Sequence, residues 1–168
     1  MKLKPTTSKG LLAAGVMLAM MGTACPSAAD TFDIDLPAGL ACANFDLRIT
    51  LTENPRRVFK EFYDAAGNTV RFISAGKGAD LTLTNLATGA TLTLRANGSV
   101  EKTAFNPDGG FTSMVMGHNV IIFFPTDIPP GPSTTLYVGR VTYSVDPSGV
   151  WTLLSTAGNA TDLCAELD

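Results

Sequence analysis

Charge is what this sequence has least of. Of 168 residues only 16% are Asp, Glu, Lys or Arg, and 12 basic groups stand against 15 acidic ones, a formal net charge of −3. A chain this poor in charge and 45% hydrophobic does not repel itself into an open coil, which excludes a disordered protein. The weakly acidic balance offers nothing to a phosphate backbone, which excludes a nucleic-acid binder. Histidine is down to one residue, His118, so a zinc centre lacks ligands and any Ser-His-Asp arrangement has to use that side chain. Long hydrophobic runs are missing too. The longest, residues 11 to 21, is about half of the roughly 20 residues a membrane-spanning helix needs, and no transmembrane segment is expected.

That short run has the length of a leader's apolar region. Lys2, Lys4 and Lys9 precede or border it, and Ser27, Ala28 and Ala29 follow it, the layout of a secretory signal peptide over 1–29 with a single domain over 30–168. Cutting there leaves 139 of the 168 residues and, with three lysines lost, moves the net charge from −3 to −6. The alternative is a lipid anchor at the cell surface through Cys25, which follows the apolar run directly. Against it, Gly22 occupies the position three before Cys25, where a branched aliphatic is usual, and discarding Cys25 leaves an even pair. Cys42 and Cys164 are then expected to form one disulfide in an exported chain, closing a loop worth about 4 to 5 kcal/mol.

Periodicity points to strands. Phe45 to Thr52 alternates four apolar with four polar residues, a strand with one face on a core and one in water. Similar segments recur near 57–63, 69–74, 80–86, 90–96, 99–105, 111–116, 119–124, 134–145 and 149–155, separated by turn formers such as Ala66-Gly67-Asn68, Gly117-His118-Asn119 and Asp146-Pro147-Ser148-Gly149, the spacing of an antiparallel all-β fold. Asn97-Gly98 is expected to close a tight type I′ hairpin between Ala96 and Ser99. Val120 to Phe124 is apolar throughout, as in a central strand covered on both faces. Thr134 to Val145 shifts phase near Gly139, which predicts a bulge or bend. One short helix over Thr161 to Leu167 is the only helical candidate. The fold class is all-β: a single antiparallel β-sandwich or meander barrel of about 8–10 strands.

Chemistry is sparse. His118 sits in an expected turn, and no G-x-S-x-G nucleophile elbow occurs. Glu53, Glu61, Glu101 and Glu166 could pair across a cleft for glycoside hydrolysis, although Lys60 and Lys102 beside two of them fit a solvated strand face. Asp30, Asp33 and Asp35 could offer oxygens to calcium, and a solvated terminus explains them equally. Gly76-Lys77-Gly78 lacks the upstream glycine and following helix of a phosphate loop. Thr-Leu-Thr at 50–52, 82–84 and 91–93 has no uniform period, so the threonines read as solvent-facing strand residues. Pro125 to Pro132 reads as a stiff crossover between sheets. Trp151, Tyr137 and Tyr143 are the candidate ligand-contacting residues, aromatic rings able to stack on a sugar. No cofactor, metal ligand set or catalytic residue is assigned.

From the leader through Phe45-Asp46-Leu47 to Asp162-Leu163-Cys164, the chain resembles the small exported β-rich proteins of actinobacteria that carry no assigned activity. The resemblance implies an extracytoplasmic compartment and transfers no functional residue. The expected function is an exported, non-catalytic binding or interaction protein whose partner is an extracellular ligand or protein. The alternatives are a small secreted hydrolase built on His118 or paired carboxylates, and a β-barrel carrier of a small apolar ligand.

Overall fold

The computed structural model describes residues 30–52 and 56–168; the leader expected over 1–29 with Cys25, Glu53 and the Asn54-Pro55 turn lie outside the described residues. The strands are β1 (Thr31–Leu36), β2 (Leu47–Thr52), β3 (Arg56–Tyr63), β4 (Thr69–Lys77), β5 (Asp80–Asn85), β6 (Thr91–Leu94), β7 (Ser99–Phe105), β8 (Phe111–Phe123), β9 (Ser133–Val145) and β10 (Trp151–Asp162). They form two antiparallel sheets, a short one ordered β1-β2-β5-β6 and a long one ordered β10-β9-β8-β7-β4-β3. The two pack face to face as a sandwich and do not close into a barrel, so the barrel carrier loses its lumen.

The short sheet follows from its alternation. Leu47, Ile49 and Leu83 are buried, with Leu36, Leu51, Leu81, Leu92 and Leu94 around them, and they meet Val120, Ile122 and Leu136 of the long sheet. The three Thr-Leu-Thr segments, far apart in sequence, become neighbours: Thr50 pairs with Thr82 and Thr82 with Thr93. Their leucines enter the core and their threonines form the outer face. Asp35 extends that face through a bidentate pair with Arg48, both oxygens at 2.7 Å, and Asp33 accepts from Thr50 Oγ1 at 2.6 Å.

The chain ends seal this core. Cys42 and Cys164 meet at disulfide distance, their Cα atoms 5.6 Å apart. Leu163 and Leu167 are buried beside Cys42, Thr134 Oγ1 donates to the Ala41 carbonyl at 3.0 Å, and buried Asn85 donates from Nδ2 to the Leu167 carbonyl at 3.0 Å. The helix expected over Thr161 to Leu167 does not form: β10 runs to Asp162 and turns follow. Asp162 Oδ1 accepts from the amides of Cys164 and Ala165, a local side-chain bond that competes with helix continuation.

Two further expectations are corrected. Asn97-Gly98 closes no hairpin, because β6 belongs to the short sheet and β7 to the long one. Gly98 has φ of 88° but among the described residues none other than glycine has positive φ, so the type I′ turn, which needs it at both centres, is not made. The segment 125–132 is not a crossover between sheets; it joins β8 to β9, adjacent in one sheet. The continuous run at 120–124 is covered on both faces as expected, Val120 and Ile122 on the leucine core, Ile121 and Phe123 in a second core with Val115, Val141, Tyr143 and Val145.

That second core exists because the long sheet is creased. Val115 and Ile121 lie on one face of β8 and would be about 20 Å apart on a straight strand, yet they line one cleft. Between them is Gly117, paired with Gly139, which pairs in turn with Gly158. In the other direction Gly117 pairs with Ser99, Ser99 with Gly76, and Gly76 with Arg57, so one row crosses all six strands. Gly139 has φ of 144° and Gly117 of 105°, and a Cβ on Gly139 would press into the Ala157 carbonyl oxygen. The β8–β9 register continues through the crease without a shift. The phase change near Gly139 is therefore a bend without a bulge, and Gly117-His118-Asn119 is strand, not a turn.

Candidate functional site

Inside the crease is a cleft of about 370 Å³ with Val115, Val120, Ile121, Phe124, Tyr143 and Trp151 among its walls and two polar residues, Glu101 and Asn119. Tyr143 and Trp151 stack with centroids 4.4 Å apart and planes 14° from parallel. The register explains the meeting: Trp151 is opposite Val145 and Leu153 is opposite Tyr143, so the two rings are diagonal neighbours on one face, within reach of each other. Tyr137, the third expected contact, packs against the same core but is not on the cleft wall.

Trp151 is fixed from behind by a residue that sequence reading passed over. Asp127 is buried; its Oδ2 accepts from the Phe124 amide at 2.7 Å and its Oδ1 from the Trp151 amide at 3.0 Å. Ile128 adds backbone bonds to Trp151 and Leu153. The proline-rich segment therefore clamps the start of β10 instead of presenting itself to a partner.

Glu101 and Asn119 form the polar side of the cleft, and a buried hydroxyl pair backs Glu101. Glu101 accepts from Thr103 at 3.3 Å and from Ser113 at 3.5 Å, and Thr103 and Ser113 bond each other. Burial pushes the Tyr143 phenol above its ordinary range, with neighbouring Glu101 adding to the shift and a hydrogen bond with Ser113 opposing it. The Nδ2 of Asn119 is shielded from solvent with no hydrogen-bond partner. A buried donor left in that state costs about 1 to 3 kcal/mol, which an acceptor on a ligand would recover.

Leading to the cleft is an aromatic track. Phe59, Phe72, Phe105 and Phe111 contact one another in order, with centroids 5.4, 6.2 and 6.4 Å apart, crossing β3, β4, β7 and β8. Phe111 pairs with Val145 and Val145 with Trp151, so the track ends at the cleft. Phe59 is 62% and Phe105 45% exposed. Each phenylalanine was visible in the sequence, but their alignment depends on long-range register.

The hydrolase residues are dispersed. His118 is exposed on β8, and its Nδ1 lies 3.3 Å from the Asn97 amide. Ser113, the buried serine near a carboxylate, contacts Glu101. Glu61 is bonded to the Tyr63 hydroxyl. No cluster of three or more potential metal ligands occurs among the described residues, nor does any helix there have the length and apolarity to cross a membrane. Compared with protein-family models, curated proteins and solved structures, the chain matches none.

Proposed function

We propose that this is an exported, non-catalytic binding protein that takes its ligand on the concave aromatic face of the long sheet. The observation that carries the reading is the phenylalanine track running from Phe59 on the edge strand to the Tyr143–Trp151 pair. Contiguous exposed aromatic surface favours association with something else, and proteins retain it where it is used. The pairing of Cys42 with Cys164 supports an oxidising compartment, in keeping with the leader over 1–29.

An extended ligand with flat apolar faces and hydroxyl groups suits this surface. Rings would lie along the track, and a terminal unit in the cleft would find an acceptor in Glu101 and a donor in Asn119. Polysaccharide chains have that chemistry. The test is native electrophoresis of residues 30–168 through gels containing a panel of soluble polysaccharides. At least one should retard the protein, and Phe59→Ala/Phe105→Ala, which removes two exposed rings, should abolish the retardation without changing the circular dichroism spectrum. Unretarded wild type across the panel, or equal retardation of the variant, overturns the reading.

A further inference from the structure

We infer that the open end between the two sheets is a second binding site, for a single-chain amphiphile with an anionic head. The cavity there measures about 500 Å³, within the size range of small-molecule sites. Its floor is aliphatic and comes from both sheets: Leu51, Leu81 and Leu94 from one, Val120 and Leu136 from the other. All five also pack against the sealed leucine core, so the floor is the unsealed end of that core.

The rim has the opposite character. Arg57, Arg95 and His118 stand around the opening, and among the described residues no Asp or Glu lines it. Arg57 is held in place by neutral partners, its Nε donating to Ser74 Oγ at 2.9 Å and its Nη1 to Ser99 Oγ at 3.2 Å. The guanidinium is thereby oriented with no carboxylate partner among the described residues, and a carboxylate or phosphate would meet a preformed donor. Arg95 is exposed and has no carboxylate partner among the described residues. Asp80, at the start of β5, which pairs with the strand that Arg95 follows, is already engaged by Lys77 at 3.8 Å and by the Ala96 amide at 2.7 Å. Asn119, whose Nδ2 is shielded and unpartnered, lines this cavity as well.

Neither half of the site explains the other. An inorganic anion would use the arginines and leave the leucine floor wet, and a neutral hydrocarbon would cover the floor and leave the donors without an acceptor. A chain of methylenes ending in a carboxylate or phosphate satisfies both. The site is distinct from the aromatic cleft, with which it shares only Asn119 and Val120.

Calorimetric titration of residues 30–168 with decanoate, decyl phosphate, decanol, acetate and inorganic phosphate tests the inference. At least one of the two long-chain anions should bind one to one and at least tenfold more tightly than decanol, while acetate and inorganic phosphate give no measurable heat. Comparison of decanoate with decyl phosphate tells which head is preferred. Arg95→Gln/His118→Gln, which leaves Arg57 and its serines intact, should weaken the anion at least fivefold and leave decanol unchanged. Phe59→Ala/Phe105→Ala should bind the anion like wild type, which separates this site from the aromatic face. Decanol binding as tightly as the anions, absence of binding by both anions, or an Arg95→Gln/His118→Gln variant with undiminished affinity overturns it.

Discussion

The two cores of this protein are built from different materials. Under the short sheet the core is aliphatic, dominated by leucine, and closed at one end by Cys42, Cys164, Leu163 and Leu167. Inside the crease of the long sheet it is aromatic and polar, with Tyr143, Trp151, Glu101 and Asn119 around an open cleft and buried Ser113 behind Glu101. The difference separates two tasks. Leucines in a sealed layer maximise buried apolar area without directional demands, whereas aromatic rings and hydroxyls present faces and donors that a ligand can use. Strands β8 and β9 pass through both cores, so the two are mechanically one body although chemically they are not.

Breaking the sealed end should have the largest effect. Cys42→Ala/Cys164→Ala releases a loop of 122 residues and is expected to lose about 4 to 5 kcal/mol in urea unfolding. Because β8 and β9 link the cores, Trp151 fluorescence and far-ultraviolet circular dichroism should still report one transition in the variant; separated transitions would show that the cores unfold independently. Next in size is the crease. Gly139→Ala places a Cβ against the Ala157 carbonyl at a φ of 144°, and about 3 kcal/mol should be lost, since positive-φ strain and a backbone clash add. A loss below about 0.5 kcal/mol, the level of an ordinary surface change, would mean the strand can relax and the bend is not fixed by its glycines.

The smallest effect separates the two regions by pH. The Tyr143 phenol is raised in the folded state, chiefly by burial, so its contribution to stability is complete below the unfolded value of about 10 and is lost as pH rises through the folded value. Asp35 is lowered by its hydrogen bonds to Arg48. Its contribution is present above the unfolded value of about 4 and is lost as pH falls through the folded one. Alkaline titration followed by thermal unfolding should therefore show a decline above pH 10 that Tyr143→Phe diminishes, and acid titration a decline below pH 4 that Asp35→Asn diminishes. A Tyr143→Phe variant with an unchanged alkaline decline would place the responsible group elsewhere.

Legibility in the sequence followed the range of the interaction. Phe45 to Thr52 and Val120 to Phe124 were readable because alternation, or its loss, is recorded within one strand. The strand over Thr31 to Leu36 carries the same signal, Phe32, Ile34 and Leu36 alternating with Asp33 and Asp35, but its aspartates equally fit a solvated terminus. Gly117 and Asn97-Gly98 misled for one shared reason. Glycine permits positive φ wherever the backbone needs it, and a crease across a sheet and a turn between strands make the same demand. Trp151 and Tyr143 were named from residue type and do meet; Glu101, Asn119, Arg57 and Arg95 join their clefts only through pairings that no local pattern records.

The row Arg57–Gly76–Ser99–Gly117–Gly139–Gly158 makes the molecule's tolerance to substitution run opposite to its chemistry. In a saturation map the positions that accept no replacement would be those glycines, which offer a ligand nothing, while the exposed rings of the track would accept many changes and still fold. Selection for a new ligand could therefore rewrite the concave face residue by residue over an unaltered hinge line. Descendants with different binding habits would still share four glycines spaced 41, 22 and 19 residues apart.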